Sequence, residues 1–244
     1  MIHIKTILVE SWKKTQGNKR NILSAFAVYI VCYFFMQFSY NEIMEFIFYF
    51  PYIHQILQSL NNAPVNVDYA ITLFTFMISA FLLRAIIFGF LLTPMFAGIL
   101  MMGVYVNNNL PIKIDMLFHY YRFIFKLGLA YILFALFLLI PITLFLIFIK
   151  VITFIIMIIF VPYIVVSYSM FIPLIIENKL GIWQALETSR KVITKQWFNV
   201  FGFYICLFCI IVISALPIGI GLIWSLPFAF ISYGNLYNKL FVKD

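Results

Sequence analysis

FIFKLGLAYILFALFLLIPITLFLIFIKVITFIIMIIFVPYIVVSYSMFIPLII, residues 123–176, decides the medium in which this chain folds. Past Lys126 it holds one charge, Lys150, in 50 residues, whereas a helix needs ~20 apolar residues to cross the ~30 Å hydrocarbon layer of a bilayer. The tract therefore predicts two spans, 123–147 and 152–176, turning at Lys150. Lipid offers no water to backbone N–H and C=O groups, so each span must pair them internally, as a helix does. Pro141, Pro162 and Pro173 each lack a backbone donor and predict kinks.

The whole chain shares this character. Of 244 residues, 65% are hydrophobic and 10% charged, where soluble domains average about 45–50% and about 25%. A soluble fold could not hide that much apolar surface. Outward from the central tract, further spans are predicted at 21–39, 83–106, 197–216 and 218–240. The expected fold is an all-α polytopic membrane bundle of about six transmembrane helices in one domain covering 1–244. No cleavable signal peptide is expected, because the first apolar run begins near Ile22 and no small-residue cleavage pattern follows it.

Two flanking segments have amphipathic patterns. In residues 3–16, Ile4, Ile7, Leu8 and Trp12 recur at helical spacing, and Gly17-Asn18 is expected to end the helix. In residues 182–195, Ile182, Ala185, Leu186, Ser189 and Ile193 line one face. Glu187 and Lys191 stand opposite, placed to pair at i,i+4. Both are expected as interfacial helices.

The apolar run 69–106 would be about 57 Å long as one helix, so an interfacial segment is expected before the span 83–106. Within that span Arg84 sits ~34 Å from the polar turn Asn107-Asn108-Asn109, at the far headgroup layer. Residues 40–68 contain Glu42, Glu45 and Asp68 with Pro51, Pro64 and Asn61-Asn62. They are expected as short helices along the outer surface.

The net charge of +8 is explained by topology, not by nucleic acid. Of 16 Lys and Arg, all but Arg84 and Lys150 fall on the side shared by Lys13, Lys14, Lys19, Arg20, Lys113, Arg122, Lys179, Arg190, Lys195 and Lys239. The positive-inside rule then places both chain ends in the cytoplasm. Membrane lipids are the expected partners, together with a possible protein partner in the same membrane.

Few residues suggest chemistry. Arg84 is the one candidate, as a contact for lipid or an anionic ligand, though snorkelling to outer phosphates is the favoured reading. Cys206 and Cys209 have CxxC spacing among Tyr204, Ile205, Leu207 and Phe208, where nothing would stabilise a thiolate or complete a metal site. His3, His54 and His119 are far apart. No nucleophile–base set, metal motif or phosphate-cradling loop is present, so no catalytic residue, metal or cofactor is expected. Gly98 and Gly103 with Ala97, and Gly219 and Gly221, read as packing surfaces. A cargo groove near Pro94, Gly98 and Arg84 is the alternative, and it would make the protein a small transporter or lipid-handling protein.

Several of these residues form a familiar pattern. Val161-Pro162-Tyr163, then Pro173-Leu174-Ile175-Ile176-Glu177-Asn178-Lys179-Leu180-Gly181-Ile182, Ala185, Ser189 and Trp197-Phe198-Asn199 resemble the YciC-type family of bacterial inner-membrane proteins. Asp115-Met116-Leu117-Phe118 and Tyr233 with Leu236-Tyr237 extend the likeness. It is also similar to the membrane domain attached to some glycerophosphodiester phosphodiesterases. The resemblance implies a six-helix inner-membrane protein and brings no catalytic residues; the expected role is non-enzymatic, in envelope homeostasis or partner scaffolding.

Overall fold

In a computed structural model, residues 3–44, 67–148, 151–216 and 218–242 are described. They form α1 (Ile4–Met44), α2 (Val67–Asn107), α3 (Met116–His119), a 3-10 turn (Tyr120–Phe123), α4 (Ile124–Phe148), α5 (Val151–Ser167), α6 (Phe171–Ile176), α7 (Ile182–Thr194), α8 (Trp197–Ala215) and α9 (Leu222–Phe241). Among the described residues no strand occurs, and five helical stretches are long and apolar enough to cross a membrane. This is the all-α helical bundle expected of a membrane protein. Its outward faces carry residues such as Phe35, 72% exposed, and Phe198, 83% exposed, which only lipid would solvate well.

The structure corrects the division of the first 44 residues into a surface helix and a span. Gly17-Asn18 does not break the helix, and α1 runs unbroken for 41 residues. A glycine inside a helix costs about 1 kcal/mol, but the buried residues Ile7, Ser11, Thr15, Ile22 and Ala25 continue one stripe across it. Packing of that stripe outweighs the local propensity. Its first turns lie lengthwise against α9: Glu10 meets Lys239 at 2.8 Å, and Lys19 lies over the Trp224 ring. Residues 3–16 are therefore part of the bundle.

A second correction concerns 69–82. The expected interfacial segment and the span after it are one helix, α2, which passes through Pro94 without a break. Near its C-terminal end α2 is buried from two sides. Leu100, Met101 and Val104 belong to one apolar cluster; Met95, Ile99, Met102 and Val106 belong to another, with Ile22 and Ala25 of α1. Lys14 Nζ donates to Asn107 O at 2.9 Å, placing a cation where the carbonyls of α2 end unpaired.

The expected sixth span begins later than 218. Residues 218–221 turn, with Ile218 and Gly219 at positive φ, and α9 starts at Leu222. It is not among the five most apolar stretches. Its polar residues face protein, not lipid: Ser225, Ser232 and Asn235 are buried. Asn235 Nδ2 donates towards Ile7 O, Glu10 Oε2 and Ser11 Oγ. Near the start of α9, Trp224 sits beside Lys19 of α1.

The expected fourth span is also interrupted. Helix α5 stops at Ser167 and α6 resumes at Phe171. The expected turn at Lys150, and the surface helices of 45–66 with Glu45 and His54, lie outside the described residues.

Candidate functional site

The interruption between α5 and α6 follows from Pro173. Proline has no N–H, so Ser169 O, four residues earlier, loses its helical donor. Tyr233 of α9 supplies one, its hydroxyl donating to Ser169 O at 2.9 Å. Ser189 of α7 serves the same break from the other side. Its hydroxyl donates to Ser167 O at 2.8 Å and accepts from Met170 N at 3.3 Å. The face of α7 that carries Ser189 is buried, with Ala185, Leu186 and Ile193, as its periodicity predicts. On the opposite face Glu187 and Lys191 pair at 2.8 Å, and the ammonium holds the Glu187 carboxyl below its usual range. Helix α7 thus packs against α4, α5 and α6 instead of resting alone on lipid.

Beside this break lies a cavity of about 560 Å³, between α5, α8, α9 and Leu100 of α2. Its walls are almost wholly apolar: Val161, Pro162, Val165, Ile205, Leu207, Phe208, Ile211, Ala229 and Phe230, with Ser169, Tyr204 and Tyr233 contributing hydroxyls. The Ser169 hydroxyl is engaged by Val166 O at 2.8 Å. Tyr204 OH is fully covered and completes no hydrogen bond, although Ser169 lies beside it. Three wall residues also face outward: Val165 is 43% exposed, Ile205 45% and Phe208 64%. The cavity therefore opens onto the apolar outer surface. Three hydroxyls apart, its wall offers a surface that accepts hydrocarbon.

The residues singled out from sequence are not assembled around this cavity. Arg84, half-buried, donates from Nη2 to Gln37 Oε1 of α1 and lies over two rings, Phe88 at 5.5 Å and Tyr40 at 6.0 Å. Those cation–π contacts and the amide give the guanidinium fixed partners inside the α1–α2 pair. Gly98 leaves no room for cargo, since a Cβ there would come within 2.8 Å of Leu117 Cα and Met116 O. A smaller cavity of about 320 Å³ does lie near Pro94, bounded by Tyr29, Leu92, Thr93, Phe96 and Tyr131, without Arg84 or Gly98. Cys206 and Cys209 are free thiols. Among the described residues no group of three His, Cys, Asp or Glu could hold a metal.

Sequence inspection missed the cavity and the break. The signal for the break was present as Ser167-Tyr168-Ser169, three hydroxyl residues in succession, followed by Pro173. A cavity between helices leaves no such mark, because its walls have the composition of any lipid-facing helix.

One ionisable group sits just past α6. Glu177 is half-buried, and burial raises its carboxyl pKa; the Tyr237 hydroxyl, near it but outside strict hydrogen-bond geometry, partly offsets the rise. A raised carboxyl pKa means that the folded state binds this proton more tightly than the unfolded chain. Stability therefore increases as pH falls from neutral through the folded-state pKa, down to the ordinary carboxylate range. Glu177→Gln should remove that rise and increase Tm by about 1–2 °C at pH 7.5, the size expected for a fraction of 1 kcal/mol at a partly exposed site. Melting curves from pH 8 to pH 5 check it; a variant with the wild-type pH slope would contradict it.

No family model, no curated protein and no solved structure matches this chain.

Proposed function

We propose that this chain is a non-enzymatic, multi-pass protein of a bacterial inner membrane, of the YciC type that its sequence resembles, and that it works by holding the hydrocarbon tail of a membrane lipid. The observation that carries this reading is the cavity between α5, α8 and α9. It falls in the usual ligand-pocket range of about 300–1,000 Å³, is almost free of polar wall, and opens at residues that already face outward. Water gains no hydrogen bonds in such a space, whereas an acyl or isoprenoid chain leaves lipid for an equally apolar wall. The 14-to-2 distribution of basic residues supports cytoplasmic chain ends. The contact of Glu10 with Lys239 supports placing the two ends together.

Ile205→Trp tests the cavity. The larger ring grows from an already outward-facing position into the space, so the fold is retained. Wild-type protein purified in native nanodiscs and transferred to mild detergent should keep a lipid visible by native mass spectrometry. The Ile205→Trp protein should lose it at an unchanged Tm. Equal retention by both proteins would defeat the tail-holding reading. An empty cavity with a stoichiometric protein partner would favour the scaffold role instead.

A further inference from the structure

Away from both apolar cavities, α1 and α9 enclose a third space of about 300 Å³, lined by Trp12, Thr15, Gln16, Lys19 and Trp224. None of these residues lines the larger cavity. We propose that this pocket binds the phosphate of an anionic phospholipid headgroup, with Lys19 as its principal contact.

The case rests on the balance of donors and acceptors. The lining holds one ammonium, two indole N–H groups and a side-chain amide, and no carboxylate. The Thr15 hydroxyl donates to Ser11 O at 2.8 Å, so its proton is already used. A pocket rich in donors and poor in acceptors suits an anion, and a phosphodiester presents oxygens to several donors at once. Lys19 Nζ lies 5.2 Å from the Trp224 ring centroid. The ring faces one side of the ammonium and fixes its position without neutralising it, leaving N–H groups for a ligand. The nearest acidic residue in the sequence, Glu10, is occupied by Lys239.

The two tryptophans indicate a lipid phosphate and not a free one. Trp12 is 48% and Trp224 43% exposed, each with a buried portion and an outward one. Indoles so placed, close to lysine, are characteristic of the headgroup layer, where one end of the ring meets hydrocarbon and the other meets water. The ring of Trp12 packs edge-on against Phe228, ring centroids 5.7 Å apart, which keeps the wall of the pocket in place. A headgroup arriving with its own tail would meet apolar ring surface below the ammonium.

The test is a lipid titration of the purified full chain followed by native mass spectrometry, with phosphatidylglycerol and phosphatidylcholine of identical acyl chains. Wild type should prefer phosphatidylglycerol by about fivefold, the factor expected for one lysine near the charged headgroup. Lys19→Gln should abolish the preference, Lys19→Arg should keep it, and Lys13→Gln, at an exposed lysine outside the lining, should leave it unchanged. If Lys19→Gln keeps the preference, or Lys13→Gln lowers it equally, the charge is acting through the general surface and the site is refuted. Inorganic phosphate at millimolar concentration should not displace the lipid; displacement would identify free phosphate as the ligand and overturn the headgroup assignment. Because Ile205→Trp leaves this pocket untouched, loss of the tail-holding reading and loss of the phosphate site are separate results.

Discussion

Gly234→Val should leave almost no folded protein. Helices α2 and α9 cross with their backbones in contact at Gly103 and Gly234. A Cβ added at Gly234 would fall on the Gly103 carbonyl group and Val104 N, and one added at Gly103 would fall on the Phe230 carbonyl group. The obstructing atoms are backbone, so no rotamer change relieves them. Within a bilayer, helices gain little from excluding lipid, and close backbone approach through small residues is a main source of their association. Separating this crossing would also pull Asn107 Nδ2 from Ile231 O, now 2.7 Å away, and loosen the burial of Tyr233 and Tyr237. The combined penalty should exceed about 3 kcal/mol, in the range that only severe core mutations reach. Size-exclusion profiles and melting in detergent would show an aggregated or much less stable variant. Gly17→Ala provides the opposite control: nothing lies within 4 Å of its new Cβ, and an exposed helix-interior alanine should add about 0.5–1 kcal/mol. A Gly234→Val protein that melts like wild type would mean the crossing is not built on glycine contact.

Gly103 was legible in sequence as a packing residue, but Gly234 was not. The reason is that Gly234 sits in Tyr233-Gly234-Asn235, where a glycine among polar neighbours resembles a turn. The structure shows those neighbours turned inward, with Asn235 bound to the first turns of α1 and Tyr233 to Ser169. Lipid inverts the usual inference: the polar residues Ser225, Ser232 and Asn235 of α9 are enclosed, while the strongly apolar α4 and α5 turn residues such as Phe125, Ile140 and Ile159 outward. The amphipathic segment 182–195 was read correctly in its periodicity because α7 packs as ordinary amphipathic helices do. Its surroundings were not, since a stripe of apolar residues cannot distinguish a lipid surface from other helices. The continuity of α1 and α2 escaped notice for a different reason. Gly17 and Pro94 are penalties of local propensity, and contacts 80–230 residues away along the chain decide whether they are tolerated. The partners of Arg84 on α1 come from a segment whose side-chain directions no local pattern specifies.

Ser189→Ala should lower stability by about 1–3 kcal/mol, more than the loss of one ordinary hydrogen bond, because it strips two backbone groups at once. Ser167 O and Met170 N lie where the helical ladder is broken, and neither has a substitute donor or acceptor within the helix; Ser189 Oγ serves both while itself buried. Alanine fits the space sterically, so the effect isolates the hydroxyl. Threonine keeps the hydroxyl but adds a methyl against the buried face of α7, and should recover part of the loss. The consequence extends beyond stability. The loosened Ser167–Met170 connection borders the apolar cavity through Val165, Val166 and Ser169, and Tyr233 reaches Ser169 O from the far wall. Ser189→Ala should therefore speed amide hydrogen exchange at 167–171 and weaken lipid retention, while exchange in α1 stays as in wild type. Uniformly faster exchange throughout the bundle would show general destabilisation. Unchanged exchange at 167–171 would show that this serine does not hold the break, and that the two halves of the interrupted helix are fixed by apolar packing alone.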